Sequence, residues 1–212
     1  VLNHESAYQL ALEITRDKDV AVVLSSTDSF PDSSPNIIDA SKLTFRENAE
    51  LTKYCDLFIG CGSGISWLTT TNWSKKLDTI LVVTQDNAVF PSMIYDHEHL
   101  GLPTDHIIEI ASDGGSVAKI LKCVGHAQNY GFENARAIFN ERLVSTNYSY
   151  IGVLIKTAVS SADWTNVRAV MMRNLRRNGA GLMLQWPFLK VFGRSIAAGI
   201  FRRFHSEKPM AM

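Results

Sequence analysis

The stretch Tyr54-Cys55-Asp56-Leu57-Phe58-Ile59-Gly60-Cys61-Gly62-Ser63-Gly64-Ile65-Ser66-Trp67-Leu68 decides the fold. Asp56 to Gly60 is a short apolar run, as in strands buried on both faces of a parallel sheet. Gly60, Gly62 and Gly64 then break the strand, and Ile65 to Thr71 begins a helix. The first turn of a helix presents unpaired N–H groups, reinforced by about half a positive charge from the helix dipole. Glycine lets the main chain approach a phosphate closely. The turn therefore has two readings. It is an anion cradle, to which the Ser63 and Ser66 hydroxyls add donors, or it is only a tight strand–helix connection.

Working upstream, Ala7, Leu10, Ala11 and Ile14 share one face of a helix over residues 4–16, with Asn3 as N-cap. Asp19 to Leu24 reads as a buried strand, residues 25–36 as a Ser-, Asp- and Pro-rich loop, and Ile37-Ile38-Asp39 as a short strand. Thr44 opens a helix that runs to Tyr54, and Glu47 completes a capping box. Downstream, Thr79 to Thr84 is a strand, and residues 85–104 form a long loop that would close over a ligand with Gln85, Asp86 and Asn87. Ile107 to Ile110 is a strand, and Ser116 to Val124 a short helix after Asp113-Gly114-Gly115.

This alternation predicts an α/β domain over residues 1–126: a Rossmann-like open parallel sheet with helices on both faces. In such sheets ligands bind beyond the carboxyl ends of the strands, where the glycine turn must lie. Residues 131–145, 164–177 and 182–204 read as helices, the last interrupted at Pro187, so residues 127–212 form a helical tail.

Composition narrows the class without naming a partner. Lys+Arg and Asp+Glu both number 21, and 46% of the residues are hydrophobic, which suits a globular protein with one sizeable core. Cys55, Cys61 and Cys123 are odd in number and lack CxxC spacing, which argues against a disulfide framework and a structural zinc site. A reducing, cytoplasmic compartment fits. No apolar stretch is long enough for a transmembrane helix. The chain lacks an initiator Met and opens directly into helix-like sequence, which points to a piece of a longer protein. A dinucleotide fingerprint G-x-G-x-x-G and a P-loop are both absent.

Asp56, Leu57, Phe58, Ile59, Gly60, Ser63, Gly64 and Leu68 match the motif of the heptosyltransferase-like glycosyltransferases, family 9 and its relatives. The preceding Ile38-Asp39-Ala40-Ser41, Leu43-Thr44 and Tyr54-Cys55 resemble the strand, Leu-Thr and helix end that come before that motif. The resemblance covers roughly residues 4–126 and implies the C-terminal, donor-binding half of a GT-B fold. Gly62 stands where the family has Asp and Trp67 where it often has His, which marks a divergent relative. The resemblance implies a nucleotide diphosphate-sugar donor whose diphosphate rests on Gly60, Cys61, Gly62, Ser63, Gly64 and Ile65. It places the base near Ser41, Leu43 and Thr44. Ser25 and Ser26, at the end of the first strand, would face the phosphates or the sugar. A catalytic base is not identified in this chain; in the inverting members it comes from the N-terminal acceptor half, expected upstream of Val1. No metal and no further cofactor is expected.

Each of these residues also has a plain structural reading. Thr44 is an N-cap, Arg46 and Lys53 are helix-surface cations, and Trp67 and Trp73 pack the helix against the sheet. His97 and His99 do not share a helix face, so a metal site there is disfavoured, and His106 is structural. Cys61 lies at a helix start but lacks a visible base partner.

The last quarter is basic. Arg168, Arg173, Arg176, Arg177, Lys190, Arg194, Arg202 and Arg203 lie between Asp163 and Glu207 with no acidic residue among them. Leu182, Met183, Leu184, Trp186, Phe188, Leu189, Val191, Phe192, Ile196, Ile200, Phe201 and Phe204 are interspersed. Residues 182–204 therefore suit an anionic membrane surface at the inner face of the membrane, or a helix that packs back on the acceptor half. Nucleic acid is not an expected partner. The leading expectation is a metal-independent glycosyltransferase acting on a glycan or lipid-linked acceptor. The alternatives are a nucleotide-sugar epimerase-like enzyme and a non-catalytic membrane-surface interaction module.

Overall fold

The computed structural model describes residues 2–16, 19–31, 34–62, 64–84, 89, 91–112, 116–143 and 146–206. Of these, the side chains of residues 174, 177, 178, 182, 183 and 203–206 are outside the description. The chain divides into two compact units: Val1–Thr84 with Ser92–Leu143, and Gln85–Pro91 with Val144–Met212.

The first unit is α/β with parallel strands. Helix α1 (His4–Ile14) begins at Asn3, whose side chain accepts the Ser6 N–H while Ser6 Oγ accepts the Asn3 N–H, a reciprocal cap. Strands β1 (Val22–Leu24) and β2 (Ile37–Asp39) pair in parallel with Leu24 opposite Asp39. Helix α2 (Phe45–Leu51) starts at the Thr44–Glu47 capping box and tightens into a 3₁₀ turn over Thr52–Tyr54. Strand β3 (Leu57–Cys61) leads into a 3₁₀-helix over Gly64–Thr70. Strand β4 (Asp78–Val83), helix α3 (Met93–His99), strand β5 (Ile107–Ala111), helix α4 (Ser116–Tyr130) and helix α5 (Phe132–Phe139) complete the unit.

The strands form a two-stranded sheet, β1-β2, and a three-stranded sheet in the order β3-β4-β5, not one continuous sheet. Only Val22–Leu24 of the expected first strand joins a ladder, and β2 leaves Ile38 and Asp39 exposed. Helices do cover both faces of the larger sheet. Ile80, Val82, Ile108 and Ile110 pack toward α1, α4 and α5 through Leu10, Ile120, Cys123 and Ala135. Leu81, Val83 and Ile107 pack on the other face with Met93, Phe58 and Trp67. This is why β4 is apolar at successive positions: its side chains alternate between two buried faces.

The second unit is helical. Helices α6 (Tyr148–Ser161), α7 (Thr165–Asn178) and α8 (Trp186–Ser206) are joined by Ala162 in the left-handed region (φ 57°) and by Gly179 with a short 3₁₀-helix over Ala180–Leu184. Ile151, Ile155, Ala158, Val167 and Phe188 form its core, together with Val89. Helices α6 and α8 meet at two glycines. A Cβ on Gly152 would come within 2.8 Å of Val191 Cγ1, and one on Gly199 within 2.6 Å of Val159 Cβ. The two contacts progress in the same direction along both helices, so α6 and α8 run parallel while α7 returns the chain.

Several boundaries differ from the sequence expectation. Residues 85–104 are not all loop, because Ser92 caps α3, and its hydroxyl accepts the Tyr95 N–H at 3.0 Å. Helix α4 extends to Tyr130, and α5 ends at Phe139. Helix α6 was not expected at all; its polar Tyr-Ser-Tyr start and Gly152 mask the apolar stripe. The expected interruption of 182–204 falls at Gln185, between the 3₁₀-helix and α8. Pro187 occupies the first turn of α8, where an amide hydrogen has no intrahelical partner.

Candidate functional site

The glycine turn leaves the carboxyl end of β3, where parallel sheets place ligands. Its three glycines do different things. A Cβ on Gly60 would fall 2.6 Å from Phe58 Cε1 and 2.8 Å from Phe58 Cζ, so Gly60 exists to let that ring lie along the strand. A Cβ on Gly62 or on Gly64 would meet nothing within 4 Å, so the main chain there is open on that side. Among the described residues, the glycines with left-handed φ are Gly101, Gly131 and Gly179. The turn after Gly60 thus offers space more than unusual torsion. Ser63 lies outside the described residues.

Two features of the expected anion cradle are corrected. The helix after the turn is a 3₁₀-helix of 7 residues, not an α-helix, so fewer peptide dipoles align behind the turn. Ser66 does not offer its hydroxyl outward. It is 1% exposed, and its Oγ–H donates to the Cys61 carbonyl, closing the turn on itself. The hydroxyls that follow are spent the same way: Thr69 on Ser66 O, Thr70 on Trp67 O and Thr71 on Leu68 O. Ile65 is half-buried and Cys61 is a half-buried free thiol.

The remaining candidates gather at the carboxyl end of the smaller sheet. Ser25 and Ser26 follow β1, and Ser41 follows β2 one residue beyond Ala40, whose N–H donates to Leu24 O at 2.8 Å. Ser25 is exposed, and Ser26 Oγ accepts the Asp28 N–H at 3.4 Å. The Ser41 N–H donates to Asp39 Oδ1 at 2.9 Å, and this bond holds the Asp39 carboxyl below its ordinary pKa. Leu43 is exposed, and its carbonyl accepts from Asn48 Nδ2 at 3.2 Å. Thr44 is committed to its cap: Oγ1 donates to Glu47 Oε2 at 2.8 Å and accepts the Glu47 N–H at 3.3 Å. Helix α2 touches the 3₁₀-helix that follows the glycine turn.

The plain readings of the cations hold. Arg46 lies over Trp73, 5.3 Å from the ring centroid, and Lys53 pairs with Glu50 on the surface. Trp67 packs against the sheet, as expected. Trp73 instead is exposed. Gln85, Asp86, Asn87 and Asp113-Gly114-Gly115 lie outside the described residues, as do the side chains of Arg177, Leu182, Met183, Arg203 and Phe204.

Sequence reading missed a buried polar cluster on the face of the larger sheet that Trp67 and α3 cover. Glu109 of β5 is 1% exposed, and its carboxylate accepts from Ser92 Oγ at 2.8 Å, from the Met93 N–H and from the Ile94 N–H at 3.0 Å. Burial raises its pKa, and these three bonds oppose the rise. The signal was present, since an acid inside Ile107-Ile108-Glu109-Ile110 must find donors. His97 is buried, with Nδ1 donating to Pro103 O at 3.0 Å and Nε2 without a partner among the described residues. Its ring lies 6.0 Å from that of His106, whose pKa burial lowers. Among the described residues, no group of three or more His, Cys, Asp or Glu could hold a metal ion. No family model, curated protein or solved structure matches the chain.

Proposed function

We propose that the chain is the donor-binding half of a GT-B glycosyltransferase, taking a nucleotide diphosphate-sugar at the carboxyl end of its parallel strands. The observation that carries this reading is the open main chain at Gly62 and Gly64, directly after β3. The diphosphate lies along that turn on peptide N–H groups, the base lies toward Ser41 and Leu43, and the sugar toward Ser25 and Ser26. The resemblance of Asp56–Gly64 to the heptosyltransferase-like motif supports the same placement. In this reading the chain stabilises the departing nucleoside diphosphate through fixed dipoles rather than a metal. The base that deprotonates the glycan or lipid-linked acceptor comes from a second, acceptor-binding half.

Isothermal titration with UDP, GDP and ADP tests the reading. One of the three binds, and Gly62→Val and Gly64→Val each weaken it at least tenfold, about 1.4 kcal/mol, while leaving stability within about 0.5 kcal/mol. Heat from none of the three, in a folded preparation, overturns the assignment. Binding that both valine variants retain moves the donor away from this turn.

A further inference from the structure

Helix α8 has two apolar faces, and one of them packs inside the second unit. Phe188, Phe192, Ser195 and Gly199 turn toward α6, where Gly152 and Gly199 let the helices meet closely. At 3.6 residues per turn the opposite side carries Trp186, Leu189, Gly193, Ala197 and Ile200 in one stripe. Trp186 is 74% exposed, Leu189 45% and Ile200 44%. Leu184, just before the helix, is 75% exposed. Exposed Lys190 and Arg194 line one edge of the stripe. Exposed Arg168, Arg173 and Arg176 add positive charge from α7, and no acidic residue occurs between Asp163 and Glu207.

We infer that this face of α8 lies on an anionic lipid surface. An exposed apolar stripe edged by cations, with Trp at its start, has the chemistry of an interfacial helix. Among the described residues no helix is long and apolar enough to cross a membrane, so α8 rests in the headgroup region rather than spanning it. Positive charge without any acid in the segment selects an anionic leaflet over a neutral one. A protein partner would bury Trp186 and Leu189 equally well, but the unbroken excess of Arg and Lys favours the lipid. This inference does not depend on the nucleotide reading, because it uses neither the sheets nor the glycine turn.

Co-sedimentation of the full chain with vesicles tests it. Vesicles of phosphatidylcholine and phosphatidylglycerol in equal parts bring the protein down, pure phosphatidylcholine vesicles do not, and added salt weakens the binding. Lys190→Gln and Arg194→Gln each lower the partition coefficient about fivefold, and Trp186→Ser lowers it about tenfold. All three positions are exposed, so circular dichroism stays unchanged and nucleotide titration is unaffected. Absence of binding to the anionic vesicles overturns the inference, as does equal binding to both kinds. Concentration-dependent self-association abolished by Trp186→Ser, with no vesicle binding, assigns the face to a second copy instead.

Discussion

Gly60 and Gly62 stand two positions apart in one turn, yet a methyl group meets different fates at each. At Gly60 it would be driven into the Phe58 ring, which itself packs beside Leu81, Val83 and Met93. At Gly62 it would stand in open space. Gly60→Ala therefore costs about 1–3 kcal/mol by displacing a packed ring, and Gly62→Ala stays within about 0.5 kcal/mol of the parent. Urea midpoints at constant slope separate the two, and a neutral Gly60→Ala would show that the ring swings away freely. Sequence alone made the three glycines equivalent. The distinction needed the neighbouring side chain on the same face of the strand, which follows from the strand period once Gly60 is placed within β3. The fate of Ser66 was less legible: its hydroxyl turns back to Cys61 only because the chain enters a 3₁₀-helix there.

Helix α3 shows how one buried side chain fixes a whole element. Its 7 residues are too few to be stable alone, and its first peptide N–H groups point at Glu109. Removing the carboxylate in Glu109→Ala leaves two N–H groups and the Ser92 hydroxyl without their acceptor, at about 1–3 kcal/mol for each group that stays buried. The expected loss is about 3 kcal/mol in urea unfolding. Glu109→Gln keeps an acceptor oxygen for the amides, while its NH2 can donate to Ser92 Oγ, so the loss is about 1 kcal/mol. The pH dependence has a definite sign. Burial raises the Glu109 pKa above its ordinary 4.5, so the folded protein holds this proton more tightly than the unfolded chain. Its contribution is full below pH 4.5 and declines as pH rises through the folded value. The stability of Glu109→Gln relative to the parent should therefore improve across that window, and a flat difference would contradict the burial effect. Elements with strong local signals, such as the Asn3 and Thr44 caps and the apolar run of β4, were legible in sequence. Helices α3 and α6 were not, because short polar starts and interior partners define them rather than a long apolar period.

At the scale of the molecule, the alternation of strands and helices was enough to give α/β with parallel pairing, but not the separation of β1-β2 from β3-β4-β5. Which strands join is decided by contacts far apart in sequence, and no local pattern between Asp39 and Leu57 records them. The same applies to the candidate site. Its residues could be named from sequence, and so could the cap that engages Thr44, but not the bond that engages Ser66. The arrangement sets a gradient of stability. Strand β4 is paired on both sides, and Ile80 and Leu81 are fully buried on opposite faces. Strands β1 and β2 offer only 3 residues each, and Ile38 and Asp39 face solvent. Opening the small sheet exposes little apolar area, whereas freeing β4 requires both flanking strands and the two helix layers to leave. Amide exchange should therefore be slowest at Ile80, Leu81 and Val82, approaching the global unfolding limit, and much faster at Leu24 and Ile38. The glycine turn, held by β3 against β4 on one side only, should fall between them. If Leu24 and Ile38 exchanged as slowly as Leu81, the two sheets would unfold as one cooperative unit, and the edge at Ser25 and Ser41 would be as rigid as the core.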